Sequence, residues 1–352
     1  MLTNQPQPWR PLSIVPGMTW NAASSLVVPL AVFVLMAGLS DRERRWLPGI
    51  LLVVITASML LGLLQFSGAG FENPLINDSP GLVSGMFANR NHLALFLALG
   101  CLIAPVWAFP VDGRAGLRPL VALGLTALFV LTILATGSRT GMALGILTLI
   151  VGPLSVQREI RRMLHGRARW ILPAIVVALL VAVGGLILLS LVAGRAASID
   201  RVFSVDAGQD MRRLGLPTVW DMVREYFPWG TGIGGFDNLF RMHEPFDLLK
   251  LSYFNHAHDD FLEIALDAGL PGLALLLAVI VWGVVAAIRA WRSPSGCSQA
   301  KLASLMLLVI CIASVVDYPA RTPMIMAMIV ISGIWLSHTG PRRGEPALPQ
   351  SS

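Results

Sequence analysis

Pro48-Gly49-Ile50-Leu51-Leu52-Val53-Val54-Ile55-Thr56-Ala57-Ser58-Met59-Leu60-Leu61-Gly62-Leu63-Leu64-Gln65-Phe66 runs without a charged side chain, and its reading decides the fold. A helix crosses the ~30 Å hydrocarbon core of a bilayer with about 20 apolar residues. Inside hydrocarbon every backbone N–H and C=O must be satisfied by the protein itself, which only helices and closed barrels achieve. Barrel strands alternate apolar and polar residues, whereas this run is continuous. It predicts a membrane-spanning helix.

The same pattern repeats on both sides of it. Upstream, Asp41-Arg42-Glu43-Arg44-Arg45 stops an apolar run over about Ser24 to Leu39. Downstream, further runs cover about His92–Phe109, Pro119–Ala135, Met142–Val156, Trp170–Val192, Leu270–Ile288, Leu302–Val316 and Met324–Leu336. The predicted fold class is therefore all-α: a polytopic integral membrane protein of about nine transmembrane helices, with one long polar loop containing short helices. The expected divisions are an N-terminal segment 1–23, six spans in 24–192, the loop 193–268, three spans in 269–338 and a tail 339–352.

Composition agrees. The chain is 55% hydrophobic and 13% charged, where soluble domains carry about 25% charged residues. Its net charge of +6 does not point to nucleic acid, because the basic residues lie at span ends. Connectors 41–46, 112–118, 157–169 and 289–301, with Arg342-Arg343, hold them, and nine spans place all of these on one face. Arg and Lys mark the cytoplasmic side, so loops 67–90, 137–141, 193–268 and 317–321 are expected outside. The three cysteines form neither a disulfide framework nor a metal knuckle. The polar, proline-rich first 22 residues show no apolar core of a cleavable signal peptide.

The long loop carries the candidate chemistry. Leu216 to Phe227 reads as an amphipathic helix, with Pro217 in its first turn and Val219, Met222, Val223 and Tyr226 at helical spacing. Asn255-His256-Ala257-His258-Asp259-Asp260-Phe261-Leu262-Glu263 packs two histidines and three carboxylates into nine residues. Three readings fit: acid–base catalysis, since His titrates near neutral pH; a metal site; or a helix N-terminus with acidic residues against its dipole. Arg139, in Gly137-Ser138-Arg139-Thr140-Gly141, runs against the positive-inside bias and asks for a partner. A bidentate phosphate or diphosphate contact and snorkelling to lipid headgroups both fit. Arg212, Arg213 and Arg321 allow the same two readings, and Arg321 also an ion pair with Asp317. His92 reads as a core histidine beside a helix cap. The glycines 230–235 follow no strand, so they are neither a Rossmann nor a P-loop turn.

Taken in order, Gly85-Met86-Phe87-Ala88-Asn89-Arg90-Asn91-His92-Leu93-Ala94, Gly137-Ser138-Arg139-Thr140-Gly141, the long loop ending in His256-Ala257-His258-Asp259-Asp260-Phe261-Leu262-Glu263, and Gly269-Leu270-Pro271-Gly272 resemble the O-antigen ligase and Wzy-type polymerase superfamily. The resemblance implies a metal-independent glycosyltransferase of the bacterial inner membrane that uses no cofactor. The donor would be an undecaprenyl-diphosphate-linked glycan, and the acceptor lipid A–core, a growing polysaccharide or a protein, met at the periplasmic face among membrane lipids. By resemblance His258 would be the general base, and Arg139, Arg212 and Arg321 would bind the diphosphate. His256, Asp259, Asp260 and Glu263 would support the site or the acceptor. Asp259 stands where the family usually has Asn, which would raise the basicity of the adjacent histidine or alter acceptor contact. The family usually has further spans upstream, so either the true start lies upstream or this is a shortened member. A transporter or flippase, and a non-catalytic scaffold of polysaccharide export, are the alternative readings. Ionisable residues at mid-bilayer, which a transporter would need, are essentially lacking from the apolar runs.

Overall fold

A computed structural model of the chain describes residues 12–66, 83–110, 116–163, 207–249, 254–293 and 298–337. Among the described residues the regular structure is helical, without a strand. Helices α1 (Pro16–Ser25) and α2 (Val27–Gly38) form one apolar rod, followed by the single turn α3 (Asp41–Arg44), which Ser40 and Glu43 close with a capping box. Then come α4 (Leu47–Phe66), α5 (Arg90–Ala108), α6 (Arg118–Thr136), α7 (Arg139–Val151) and α8 (Gln157–Met163), a 3₁₀ turn over Gly152–Val156 joining the last two. The loop region holds α9 (Ala207–Tyr226) and α10 (Phe236–His243). The chain continues through α11 (Asp260–Arg292), α12 (Ser298–Ser314) and α13 (Pro323–Ser337).

Six stretches among the described residues are long and apolar enough to cross a membrane: Pro16–Gly38, Arg42–Phe66, Arg90–Ala108, Arg118–Thr136, Arg139–Arg162 and Asp260–Arg292. They fall on the first to fifth and the seventh expected spans. The eighth and ninth coincide with the shorter apolar helices Ser298–Ser314 and Pro323–Ser337. The expected span Trp170–Val192 lies outside the described residues.

Helix α5 is the centre of the bundle. It is apolar nearly all round, and Leu93 through Ala104 are buried without a break, because α4, α6, α7 and α12 pack against it on every side. Two of the basic connectors meet at one end of this bundle, where the Gln299 amide Nε2 donates to the Arg44 carbonyl at 3.3 Å. The opposite helix ends are tied together by a different set of contacts, which make up the site below.

The loop region has its own small core. The α9 face Val219, Met222 and Val223 packs on Phe236, Leu239 and Phe240 of α10 and on Phe254, Ala257 and Leu266, as the amphipathic spacing predicted. The helix itself begins at Ala207 rather than Leu216 and runs through Pro217 instead of starting at it. Just before the proline, a Cβ at Gly215 would lie 3.4 Å from the Phe254 ring and 3.5 Å from that of Phe240, so α9 already runs close to this core there. The glycine run has a structural task. Thr231 and Gly232 donate their amides to the carbonyls of Leu266 and Asp267, both at 2.9 Å, and Leu270 donates to Pro228 at 2.7 Å. Gly269, at φ 54° and ψ −144°, breaks α11 there. A Cβ at Gly230, itself at φ +81°, would stand 2.7 Å from the Asp267 carbonyl oxygen, so the two chains touch only because that side chain is missing. The break separates the polar first turns of α11 from its apolar remainder.

Candidate functional site

His258 is the residue on which the site is organised, and its backbone is unusual. It is the non-glycine residue with positive φ among the described residues, at 54°, a region that few non-glycine residues enter, Asn, Asp and His more often than others. The conformation turns the chain sharply just before α11. Asp259 then accepts the amides of Phe261 and Leu262 at 2.9 and 3.0 Å and caps the helix. Of the three readings of this segment, the helix N-terminus thus describes Asp259. Asn and Asp are equivalent N-caps, so Asn and Asp at this position build the same turn. Replacing Asp259 by Ala is expected to lower thermal stability by about 1 kcal/mol while leaving the His258 surroundings intact; Asp259→Asn should match the wild type in the same melting experiment.

The carboxylate that touches His258 comes instead from the turn between α12 and α13. His258 Nδ1 lies 3.1 Å from Asp317 Oδ1. Asp317 is buried, with a side chain only 4% exposed, and it gathers donors from four parts of the chain. Asn91 and Asn89 at the start of α5 donate to Oδ2 at 2.6 and 3.4 Å. The Tyr318 amide donates to Oδ1 at 3.0 Å. Arg212 of α9 stands 3.7 Å from Oδ2, and His92 Nε2 3.8 Å from Oδ1. Burial by itself would raise the Asp317 pKa. The hydrogen bond from His258, His92 beside it and the Arg212 cation outweigh that and hold it well below the usual carboxylate range. Asp317 is therefore an anion at neutral pH.

That charge fixes the proton on His258. An ionised carboxylate only accepts hydrogen bonds, so Nδ1 of His258 carries the hydrogen and Nε2 keeps its lone pair. Burial, with Arg212 and His256 adding their repulsion, pulls the His258 pKa below its ordinary value despite Asp317. The imidazole is neutral at pH 7. The side chain keeps 14% of its exposure, so the ring is not sealed off.

A second cluster sits directly behind the first. His256 Nδ1 lies 2.9 Å from Glu263 Oε1, and the Ala257 amide donates to Glu263 Oε2 at 2.9 Å. Asp260, Glu263 and Asp267 project from one face of the first turns of α11, at i, i+3 and i+7. All three meet Arg321, at 3.5, 3.2 and 3.3 Å. Asp260 also accepts from the Ser314 hydroxyl at 2.9 Å and from the Ala320 amide at 3.2 Å. Tyr318 joins the two clusters: its ring lies 4.1 Å from that of His256 and 5.0 Å from those of His258 and His92. Its phenol is pushed to a higher pKa by burial and stays protonated.

The structure thus places His256, His258, Asp260, Glu263, Arg212 and Arg321 around the turn 315–322. Arg321 reaches the three α11 carboxylates, where the sequence had offered Asp317 as its ordinary partner. Arg139 lies at the first turn of α7, which Ser138 caps through the Gly141 amide at 2.9 Å. Gly141 abuts the Ala94 methyl, so this turn packs two residues beyond His92 on α5, on the same end of the bundle. Arg213 is exposed. Among the described residues no three His, Cys, Asp or Glu side chains are arranged to hold a metal ion; the two histidines go to separate carboxylates.

Asp317, Tyr318, His92, Asn89 and Asn91 were not expected in the site. The sequence offers Asp317 only as a possible partner for Arg321, and His92 as a core histidine. A signal was present, since both are ionisable residues at the ends of apolar runs on the side predicted to be outside. Residues 124–277 match the model of a family described as O-antigen ligase. No curated protein matches the chain. The matched stretch contains Arg139, Arg212, His256 and His258 and stops short of Asp317.

Proposed function

With residues 124–277 matching the model of the O-antigen ligase family and several helices able to cross a membrane, we propose that the chain is a membrane glycosyltransferase using His258 as its base. The donor is a glycan on undecaprenyl diphosphate. The acceptor is a hydroxyl of lipid A–core, a growing polysaccharide or a protein, reached at the periplasmic face of the inner membrane. The observation that carries this reading is the His258–Asp317 pair, a neutral imidazole oriented by a buried anion.

The chemistry follows from that pair. Nε2 of His258 takes the proton of the acceptor hydroxyl as its oxygen attacks the anomeric carbon. The bond from that carbon to the phosphate oxygen breaks, and its electron pair leaves with the lipid diphosphate. Asp317 stabilises the imidazolium that forms, and Arg212, with Arg139 on the neighbouring turn, compensates the charge growing on the diphosphate. Asp260, Glu263 and Arg321 hold the floor under His256 and Tyr318. Arg321 belongs to that floor rather than to the diphosphate, because its guanidinium already faces three carboxylates.

His258→Asn is the sharpest test, because Asn tolerates the left-handed backbone and so spares the fold while removing the base. Transfer by purified protein should fall about 10²–10⁴-fold with little change in melting temperature; transfer at the wild-type rate would sink the assignment. The pH dependence has a defined sign. A base must be neutral to act, so activity should be lost as pH falls through the His258 pKa. That acid limb should lie below the ordinary histidine value of about 6.5, because burial lowers this group. A limb centred above that value would contradict the buried, neutral imidazole.

A further inference from the structure

The two arginines nearest the histidines are held in opposite ways. Arg321 is locked among three carboxylates whose side chains are at most 6% exposed. Arg212 keeps 33% of its side-chain exposure and has two long contacts: 3.7 Å to Asp317 Oδ2 and 3.4 Å to the Val316 carbonyl. A carboxylate offers about four acceptor directions. On Asp317 these are already filled by His258 Nδ1 and the Tyr318 amide at Oδ1, and by Asn91 and Asn89 at Oδ2. Arg212, like His92, is a further partner at longer range. It can leave without stranding a buried acceptor, and its partly exposed guanidinium loses little by moving.

We propose that Arg212 is a donor-operated latch: it rests on Asp317 in the free protein, and the donor's diphosphate draws it off, removing the guanidinium's charge from the Asp317–His258 pair. This rests on the function proposed above and adds a coupling between the two substrates. While the guanidinium stays, a positive charge beside His258 opposes the imidazolium that must form when a proton arrives. Once two phosphates compete for it, charge-assisted bidentate contacts favour the diphosphate over an already saturated carboxylate. The base then strengthens only on a donor-loaded protein, so the acceptor hydroxyl is activated after the donor is in place. The other groups facing His258 are His256, with Glu263 and Arg321 behind it, and His92 and Tyr318. They are packed or hydrogen-bonded and stay where they are when the arginine leaves.

The test uses the full chain in lipid nanodiscs with farnesyl diphosphate as probe, a lipid diphosphate carrying no glycan. Cryo-electron microscopy of the loaded protein should show the Arg212 guanidinium on phosphate oxygens and out of ion-pair range of Asp317, with the His258–Asp317 bond kept. Bound diphosphate with Arg212 still on Asp317 would overturn the latch and leave the proposed function standing. Failure of farnesyl diphosphate to bind at all would remove the proposed function and the latch with it. Titration of isotope-labelled His258 gives an independent reading. Arg212→Gln should move its midpoint upward in the unloaded protein, and an unchanged midpoint would show that the arginine does not act on the base.

Discussion

Replacing Asp317 by Asn is expected to cut glycan transfer by about a thousandfold or more while the protein still accumulates in the membrane. The reason lies in what an amide can offer at that position. Asp317 receives donors on both oxygens, from His258 and the Tyr318 amide on one side and from Asn91 and Asn89 on the other. An Asn must turn its NH₂ towards one of these sets. Facing His258, it would hydrogen-bond Nδ1 as an acceptor and force the proton onto Nε2, the nitrogen that has to be free. Facing Asn91, it would set donor against donor, and the neutral carbonyl left for His258 could no longer balance an imidazolium. Either arrangement disables the base. Loss of the anion also removes the influence that raises the His258 pKa, so whatever activity remains should show its acid limb at lower pH than wild type. Transfer above about a tenth of the wild-type rate would mean that Asp317 only fills space.

Arg321→Gln should fail in another way, by loss of the folded protein. The substitution leaves Asp260, Glu263 and Asp267, with side chains 6%, 0% and 2% exposed, facing one another without their shared cation. Removing one partner of a buried ion pair costs about 3–5 kcal/mol. Although Arg321 itself keeps some exposure, the stranded charges are the buried ones, so that figure applies to them. The expected readings are a sharply reduced amount of protein in the membrane and a lowered melting temperature in detergent. Adding Asp267→Asn to Arg321→Gln should recover part of the loss, because Asp267 Oδ1 has no partner even with the arginine present. The experiment also separates the two roles open to this residue. A diphosphate-binding Arg321 would give normal abundance with lost transfer, whereas an anchor of the floor gives lost abundance.

Much of the architecture was legible in the sequence because the bilayer makes it a local property. Continuous apolar runs such as Pro48–Phe66 have to be helices wherever they pack, and α4 spans Leu47–Phe66. The helical spacing of Val219, Met222 and Val223 marked the buried face of α9 by the same kind of reasoning. Local chemistry also offered a helix N-terminus as one of three readings of residues 255–263, and Asp259 caps α11.

What the sequence could not decide is which carboxylate serves which histidine. Asp259 adjoins His258 in the chain, yet a capping side chain turns to its own helix amides. The anion that does orient His258 comes from 59 residues away, and its link to Asn91 spans 226. Arg321 likewise gave no local sign that α11 would present three carboxylates to it. Helix periodicity and capping depend on residues a few positions apart and can be read along the chain. The pairing of buried charges depends on which helix ends the fold brings together, and that only the packing around α5 and the turn at Asp317 determines.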